Sequence, residues 1–121
     1  MQRLDIGDAF DSFDEQWAPR VGARLNGQAL TLAKLDGEFV WHSHEDADEL
    51  FLVVSGEVDL EFRDREPVTL TGGELLVVPA GVEHRPVADG EAEVLIFEPA
   101  ETRNAGDVET ERTRTDLECL D

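Results

Sequence analysis

The sequence predicts an all-β protein in which short antiparallel strands form a sandwich or a barrel. Runs of alternating apolar and polar residues, clearest over residues 57–62, have the period of half-buried strands. Turn dipeptides separate these runs at intervals of roughly eight to twelve residues, as is usual in such folds. The connections are too short for the helical crossovers that parallel strands require, so we expect an antiparallel sheet.

A short amphipathic helix is predicted before the strands, over residues 5–17. Asp5 or Asp8 is suited to cap its first turn, and Pro19 ends it. Its apolar residues recur at helical spacing between acidic residues, which predicts one face packed against the main body. These apolar residues are Ile6, Phe10, Phe13 and Trp17. An aromatic stripe that binds a ligand is the alternative interpretation.

Eight or nine short strands are expected after the helix. Asn26-Gly27 lies between the first two, and this dipeptide is the strongest short signal for a hairpin. Asp36-Gly37 and Asp89-Gly90 predict two further chain reversals. The predicted strands cover residues 21–25, 29–35, 38–42, 50–54, 57–62, 68–70, 74–78, 85–88 and 93–98.

The length of 121 residues suits a single domain with one core. We expect the barrel over residues 20–98 and a polar tail over residues 99–121, with Leu117 and Leu120 as a late apolar anchor. No apolar run reaches the ~18 residues of a membrane-spanning helix, and the first residues lack the apolar segment of a signal peptide. Together with the single cysteine, Cys119, these features predict a cytoplasmic protein.

Charge is the unusual property of the composition. Asp and Glu total 29 against 10 Lys and Arg, a formal net charge of −19, and the acids are spread along the whole chain. Such a chain repels itself unless salt screens the charges, so we expect a halophilic protein from a high-salt cytoplasm. An ordinary acidic protein is the alternative. Nucleic acid and anionic membranes are not expected as partners, because they bind surfaces of the opposite sign.

The three histidines occur in a pattern that indicates a metal site. His42 and His44 are one residue apart, so a strand would place both on one face. Glu49 begins an apolar run shortly after them, and His84 comes from a separate segment. Imidazole and carboxylate donors without a thiolate suit one divalent transition metal, namely Mn, Fe, Co, Ni, Cu or Zn. The alternative is that these are ordinary polar residues on strand faces.

The spacing resembles the two short motifs of the cupin family, which are small β-barrels of the jelly-roll type. The resemblance covers roughly residues 20–98. Two features depart from the usual motifs: Gly37 lies one residue closer to the first histidine, and Ala88 replaces a frequent asparagine. The first motif comprises Gly37, His42, His44, Glu49 and Gly56, and the second comprises Gly73, Pro79, Gly81 and His84.

The resemblance implies a set of metal ligands: His42, His44, Glu49 and His84. Three nitrogens and one oxygen would fill four positions of an octahedron and leave two for water or substrate. An open position distinguishes a catalytic metal site from a structural one. The resemblance also favours a jelly-roll β-barrel and a homodimer.

Strand parity predicts which side chains line a pocket beside the metal. If His42 points inward, Val40 does too, and Phe51 and Val53 follow from an inward Glu49. Phe39 and Trp41 would then face outward and need cover, which the N-terminal helix or a second subunit would provide. Lys34, the only lysine in the chain, is a candidate to bind a substrate carboxylate, with a surface position as the alternative.

Two functions are consistent with this pattern. The first is a metal-dependent enzyme of dioxygenase or isomerase type that acts on a small organic molecule. The second is a non-catalytic cupin module that binds or senses a small ligand or a metal. The residues do not identify an additional acid, base or arginine at the site, and the fold alone does not define the reaction.

Overall fold

The computed structural model describes residues 1–100 and the backbone of residues 118–119. It confirms the all-β prediction: a mostly antiparallel sheet curls into a small barrel, preceded by one short helix. Within the described residues the elements are α1 (Ile6–Asp11), β1 (Arg20–Leu25), β2 (Gln28–Glu38), β3 (Glu49–Ser55), β4 (Glu57–Phe62), β5 (Val68–Thr71), β6 (Leu75–Val78), β7 (His84–Pro99) and β8 (Glu118–Cys119).

The long strand β7 connects the two sides of the barrel. It pairs with β2 along nearly its whole length, with β4 through its first residues and with β3 through its last ones. The hairpin at Asn26-Gly27 joins β1 to β2 as predicted, with both residues at positive φ. β8 pairs with β1 in parallel, an exception to the expected antiparallel order. The anchor predicted at Leu117 and Leu120 lies outside the described residues.

The reversals predicted at Asp36-Gly37 and Asp89-Gly90 are wrong, because β2 and β7 run through both dipeptides as one paired ribbon. The pairing register shifts between Leu35 and Gly37, which marks a β-bulge. Bulges bend a strand and increase its twist. A straight strand would separate His84 from Glu98 by roughly 46 Å, yet both contact Glu49. The two dipeptides therefore bend the ribbon instead of ending its strands.

A regular strand predicted over residues 38–42 is also absent. The chain leaves β2 after Glu38, and residues 39–48 are irregular except for an isolated bridge between His42 and His84. The backbone of this segment makes its hydrogen bonds with residues 81–86, at the start of β7 and just before it. Phe39 donates to the carbonyl of Pro86 at 3.0 Å, so side-chain direction here does not follow the parity of β2.

The interior of the barrel is apolar. Side chains of β3, β4 and most of β7 alternate between the inside and the outside, as in a half-buried sheet. Most of the interior residues are aliphatic, and several are fully buried. This cluster comprises Ala33, Leu35, Phe51, Val53, Val58, Leu60, Leu70, Val78, Ala88, Ala92 and Val94.

The N-terminal helix is shorter than predicted and covers the outer face of the sheet. Asp5 caps it as expected, since its side chain accepts a hydrogen bond from the Asp8 amide at 2.9 Å. The helix ends at Asp11 instead of Trp17. Ser12 stops it, because both its amide and its hydroxyl bind the carbonyl of Ala9.

The residues after the helix are bound to the sheet by tertiary contacts. Lys34 donates from Nζ to the carbonyl of Phe13, and the Trp17 amide donates to the carbonyl of Lys34. These bonds compete with the helical pattern that the apolar spacing predicts. Phe10 and Phe13 pack with Leu32 on the outer face, whereas Trp17 turns toward the barrel interior.

Substitution of Gly56 tests how tightly the bend in β7 is packed. Gly56 has φ +84°, and an added Cβ would lie 2.8 Å from the carbonyl oxygen of Glu91 and 2.9 Å from Cα of Ala92. Backbone atoms cannot move aside cheaply, so Gly56→Ala should destabilise the fold by at least ~3 kcal/mol. Urea unfolding measures the loss. Gly37→Ala is the matched control, since it has the same backbone strain at φ +83° but nothing within 4 Å. Equal losses in the two variants would contradict this account of the bend.

Candidate metal centre

The four predicted ligands converge in the structure. His42, His44, Glu49 and His84 are all buried, with at most 6% of any residue exposed. Each offers one donor atom, and these atoms all lie within 4.8 Å of one another. Two donors bound to one ion at about 2.1 Å are at most about 4.2 Å apart, so small side-chain adjustments bring all four to one ion. The structure therefore brings the four residues together, and their role as metal ligands stays a prediction.

Two backbone contacts between the motifs bring the ligands together. His42 and His84 exchange amide-to-carbonyl hydrogen bonds of 3.0 and 2.8 Å, which places the two imidazoles side by side. Their ring centroids are 4.4 Å apart. The loop that carries His44 is bound in the same way, because the Gly81 amide donates to the carbonyl of His44 at 2.9 Å. Glu49 is the first residue of β3 and points inward.

Hydrogen bonds to carbonyls determine which ring nitrogen two of the histidines present. Nδ1 of His42 lies 2.9 Å from the carbonyl oxygen of Val40, and Nδ1 of His84 lies 2.9 Å from that of Val82. A carbonyl oxygen only accepts, so Nδ1 carries the proton in both rings. The unprotonated Nε2 then faces the centre of the cluster with a lone pair that suits a metal ion. Metal-bound histidines usually have this arrangement, with the other ring nitrogen hydrogen-bonded to a carbonyl or a similar group.

The contact between His84 and Glu49 requires a cation. Nε2 of His84 lies 3.1 Å from Oε1 of Glu49. With its Nδ1 proton bound to Val82, a neutral His84 faces the carboxylate with a lone pair. Two acceptors at this distance repel each other unless a proton or a metal ion lies between them. A metal ion shared by the cluster satisfies both groups.

His44 supplies an independent test of whether a metal fits. Its Nε2 lies 3.3 Å from Oε2 of Glu49, but the angles do not make a hydrogen bond. Within residues 1–100 this nitrogen is a buried polar atom without a hydrogen-bond partner. Buried groups of this kind cost free energy unless something binds them. A metal ion at the centre of the cluster would do so, and the donor set therefore fits one.

Electrostatics keep Glu49 ionised and Glu98 protonated. Burial alone would raise the pKa of Glu49, but the contacts of His44 and His84 and a hydrogen bond with Glu98 hold it well below its usual range. Burial, and next the hydrogen bond with Glu49, raise the pKa of Glu98 to about 11. Glu98 therefore donates a proton to Glu49, as one member of a coupled carboxyl pair.

Sequence reasoning missed Glu98, although a signal was available. Val94 and Ile96 occupy alternate positions of the predicted strand over residues 93–98, and Glu98 continues their parity. A glutamate at the inward position of an apolar strand is unusual, because buried carboxyls are costly. This residue is 7% exposed and lies at the wall of the site.

A mostly apolar cavity opens beside the four ligands. Its empty volume, with the open solvent at its mouth included, is about 550 Å³. Trp17 stacks on Phe39 at its rim, with ring centroids 5.0 Å apart and planes 10° apart. The described lining comprises Trp17, Pro19, Thr31, Ala33, Leu35, Phe39, His42, Glu49, Phe51, Pro86, Ile96 and Glu98.

The structure corrects part of the predicted pocket. Phe51 lines the cavity, whereas Val53 lies deeper in the core and Val40 stays half-exposed beside it. The inward turn of Phe39 reverses the predicted parity because residues 39–48 do not form a strand. Trp41 does face away from the cavity, but its cover comes from Arg63 and Arg85.

Lys34 does not reach the cavity. Its neighbours Ala33 and Leu35 line the barrel, so Lys34 points to the opposite face of β2. There it is buried, bound to the carbonyl of Phe13, with Nζ 5.1 Å from the centre of the Phe13 ring. The predicted contact with a substrate carboxylate is therefore wrong, and Lys34 instead holds the N-terminal segment on the barrel.

The fold and the site together define a small β-barrel with a candidate metal centre of three histidines and one glutamate. Residues 30–98 match the family described as "Cupin domain". That match is longer than half of the chain, and the protein belongs to the cupin family.

Known proteins of similar sequence include an uncharacterized protein and a plant protein. The first is YdbB of Bacillus subtilis, 40% identical over 63 residues, which are 52% of this chain and 56% of that protein. The second is auxin-binding protein ABP19b of Prunus persica, 32% identical over 102 residues, which are 75% of this chain and 49% of that protein. The chain thus spans about half the length of the curated relatives it matches.

Solved structures agree with the fold. A cupin-2 domain containing protein from Shewanella frigidimarina is 45% identical, with a TM-score of 0.78 over 79% of this chain and 93% of that one. Hydroquinone 1,2-dioxygenase from Sphingomonas sp. TTNP3 has a TM-score of 0.70 over 81% of this chain and 32% of that one. At 20% identity, the second likeness concerns the fold alone. In the described part of the chain, no helix could span a lipid bilayer.

The lowered pKa of His42 should make the free energy of unfolding of the metal-free protein depend on pH. Burial, and next the nearby His84, lower the pKa of His42 to about 4. The unfolded chain binds a proton there below about pH 6.5, whereas the folded protein does so only near pH 4, so acidification favours unfolding. Between pH 7.5 and 5.0 this residue should remove about 2 kcal/mol from the free energy of unfolding.

The measurement is urea unfolding of chelator-treated protein at the two pH values. His42→Gln does not titrate there and is the reference, so the wild type should lose about 2 kcal/mol more than this variant. Parallel losses in the two proteins would show that His42 does not carry a lowered pKa.

Proposed function

We propose that this protein is a metal-dependent cupin enzyme, of dioxygenase or isomerase type, that acts on a small organic molecule. The observation that carries the proposal is the buried cluster of three imidazoles and one carboxylate, two members of which line an apolar cavity. Cavities that take small ligands have this composition: apolar walls and a few convergent polar groups.

Four residues would hold the metal: His42, His44, Glu49 and His84. This donor set suits Mn, Fe, Co, Ni, Cu or Zn, and the negative charge of the chain raises the local concentration of cations. A bound ion of this kind supplies Lewis-acid or redox chemistry at an oxygen atom of the substrate.

The residues of the chain itself would orient and shield the reaction. The carbonyls of Val40 and Val82 hold the rings of His42 and His84 in one orientation. Trp17 and Phe39 stack on each other in the lining and would add apolar surface beside the reacting groups. Glu98 holds a proton beside Glu49 and keeps the carboxyl pair at a single negative charge.

A non-catalytic module that binds or senses a small ligand or a metal is the second candidate. It is favoured by the small number of polar groups in the described lining, where Thr31 and Glu98 are the polar side chains apart from metal ligands. Removal of the metal by a chelator separates the candidates. An enzyme loses turnover, whereas a module that needs no metal keeps both its fold and its ligand affinity.

Metal binding should follow the four-residue set. Protein purified without chelators or a histidine tag should hold one divalent transition ion per chain, measured by elemental analysis. His84→Ala removes a ligand and should weaken Zn²⁺ binding by more than about 100-fold, because even the loss of an outer-shell partner costs 10–100-fold. Competition with a chromophoric chelator gives the affinity.

Glu83→Gln is the matched control for this prediction. Glu83 is adjacent to His84 but half-exposed, with its carboxylate paired to Arg63 at 2.7 Å. Its loss should leave Zn²⁺ affinity within about threefold of the wild type. Full stoichiometry and affinity in His84→Ala would show that the proposed ligand set is wrong.

We also propose a halophilic homodimer in the cytoplasm. The formal charge of −19 supports the halophilic character, and the single cysteine suits a reducing compartment such as the cytoplasm. Leu75 and Val77 are about half exposed on β6, a strand that pairs only with β3 among the described strands, and a second copy could cover them. Light scattering at high salt tests the dimer.

Stability should depend on salt. The Debye length is about 10 Å at 0.1 M salt and about 3 Å at 1 M. Repulsion among the acids therefore reaches across the surface at low salt and is screened at high salt. The melting temperature should fall by several degrees between 2 M and 0.1 M KCl. Sucrose of equal osmolality is the control, since it does not screen charge. Equal melting temperatures at both salt concentrations would remove the halophilic interpretation.

A further inference from the structure

Trp41 faces away from the cavity, next to the bridge that joins the two motifs. His42 and His84 form this bridge in antiparallel fashion. The neighbours of these two residues then face each other, which brings Trp41 across from Arg85. The Cζ atom of Arg85 lies 5.0 Å from the centre of the Trp41 ring, and that of Arg63 lies 4.0 Å from it. Both distances are those of attractive cation–π contacts.

The contact with Arg63 crosses a strand. His84 pairs with the last residue of β4 on one side and with His42 on the other. Arg63 is the residue directly after β4, so its guanidinium reaches Trp41 over the start of β7. The indole ring therefore fastens the irregular segment over residues 39–48 both to β7 and to the end of β4.

Arg85 is held in place by carboxylates of the two neighbouring strands. Its Nε atom lies 2.8 Å from Oε1 of Glu61 on β4, and its Nη2 atom lies 2.9 Å from Oε2 of Glu38 at the end of β2. The side chain is 24% exposed. A guanidinium that is already fixed loses little rotamer freedom when a ring packs on it, so more of the contact energy is kept.

The bridge needs side-chain contacts of this kind. It consists of two backbone hydrogen bonds, and no regular strand continues it on either side of His42. The net free energy of a backbone hydrogen bond is small, whereas ordering an irregular segment costs conformational entropy at every residue. Phe39 anchors the segment on the inner face, where it is buried. Trp41 anchors it on the outer face.

We infer that Trp41, bound by Arg63 and Arg85, is a positioning residue for the candidate metal centre, because it holds His42 in the bridge from outside the barrel. Trp41 is not part of the described cavity lining or of the ligand cluster, so its effect on a bound ion is transmitted through the backbone. The inference deepens the proposed function and rests on it for the presence of the metal.

Amide hydrogen exchange of metal-free Trp41→Leu tests the effect on the bridge. The amides of His42 and His84 form the bridge and should lose most of their protection in this variant, because the segment opens without the two cation–π contacts. The Val53 amide is the internal reference. It donates to the carbonyl of Glu74 at 3.0 Å, away from the bridge, and its exchange rate should change far less.

Zn²⁺ binding tests the effect on the candidate metal centre. An ion that meets an open segment must close it, which lowers the apparent affinity by the fraction of closed molecules. Trp41→Leu should therefore bind Zn²⁺ about tenfold more weakly than the wild type, measured by competition with a chromophoric chelator. Trp41→Phe keeps an aromatic face for the two guanidinium groups and should retain most of the wild-type affinity, even if the leucine variant folds poorly.

Arg63→Gln and Arg65→Gln are a matched pair of variants. Both arginine side chains are 57% exposed, and each has an aromatic ring beneath it. Arg63 lies over Trp41, whereas Arg65 lies over Phe62 at 5.5 Å. Arg63→Gln should speed exchange of the bridge amides by about two- to fivefold, the effect of one exposed cation–π contact, and Arg65→Gln should leave it unchanged.

The outcomes separate this inference from the proposed function. If the wild type fails to bind Zn²⁺ but Trp41→Leu loses protection only at the bridge, the metal-dependent function fails and the role of Trp41 in holding the bridge stands. If the wild type binds Zn²⁺ and Trp41→Leu binds it equally well, the inference is wrong. Equal acceleration of the bridge amides and the Val53 amide also overturns it, since Trp41 would then stabilise the fold as a whole.

Discussion

The backbone bridge between His42 and His84 is the interaction on which the site depends. These two residues exchange hydrogen bonds of 3.0 and 2.8 Å, although they are far apart in sequence and the segment around His42 is not a strand. The bridge fixes the backbone at His42 in the loop between β2 and β3, and so places its imidazole beside that of His84. A second bond, from Gly81 to His44, holds the rest of that loop. The candidate metal centre is therefore built by pairing two motifs, each incomplete alone.

The site concentrates polar groups in an interior that is otherwise apolar. Burial of an unpaired carboxylate or imidazole costs several kcal/mol, so each such group needs a partner. Carbonyls, Glu98 and the ligands themselves satisfy most of them, and His44 Nε2 and Glu98 Oε2 are left over within the described residues. The two unsatisfied atoms lie on different functional groups: one belongs to the metal cluster and the other to the cavity wall. We interpret the histidine nitrogen as the place of a missing metal ion, whereas the pairing of Glu98 with Glu49 accounts for the buried carboxyl group.

Local patterns in the sequence predicted the four residues that cluster and most strands, because both follow from short-range spacing. Each motif places its glycines and histidines, and the second motif also Pro79, at fixed positions relative to turns. The folded structure keeps these positions. The predicted parity at Phe39 failed because long-range hydrogen bonds from β7 replaced strand pairing there. The predicted role of Lys34 in binding a substrate carboxylate was wrong for a similar reason. Its role depends on the N-terminal segment that crosses the sheet, which no local pattern reveals.

The dipeptides at Asp36-Gly37 and Asp89-Gly90 bend the β2–β7 ribbon, and this bend has a consequence for how the family can vary. His84 lies near one end of the ribbon, and Thr31 and Glu98 lie near the other, yet both ends border one cavity. One proposed ligand therefore comes from the near end of the ribbon, and part of the cavity wall comes from its far end. In a related barrel, substitutions in the distal half of the ribbon would therefore reshape the cavity wall without replacing a proposed metal ligand.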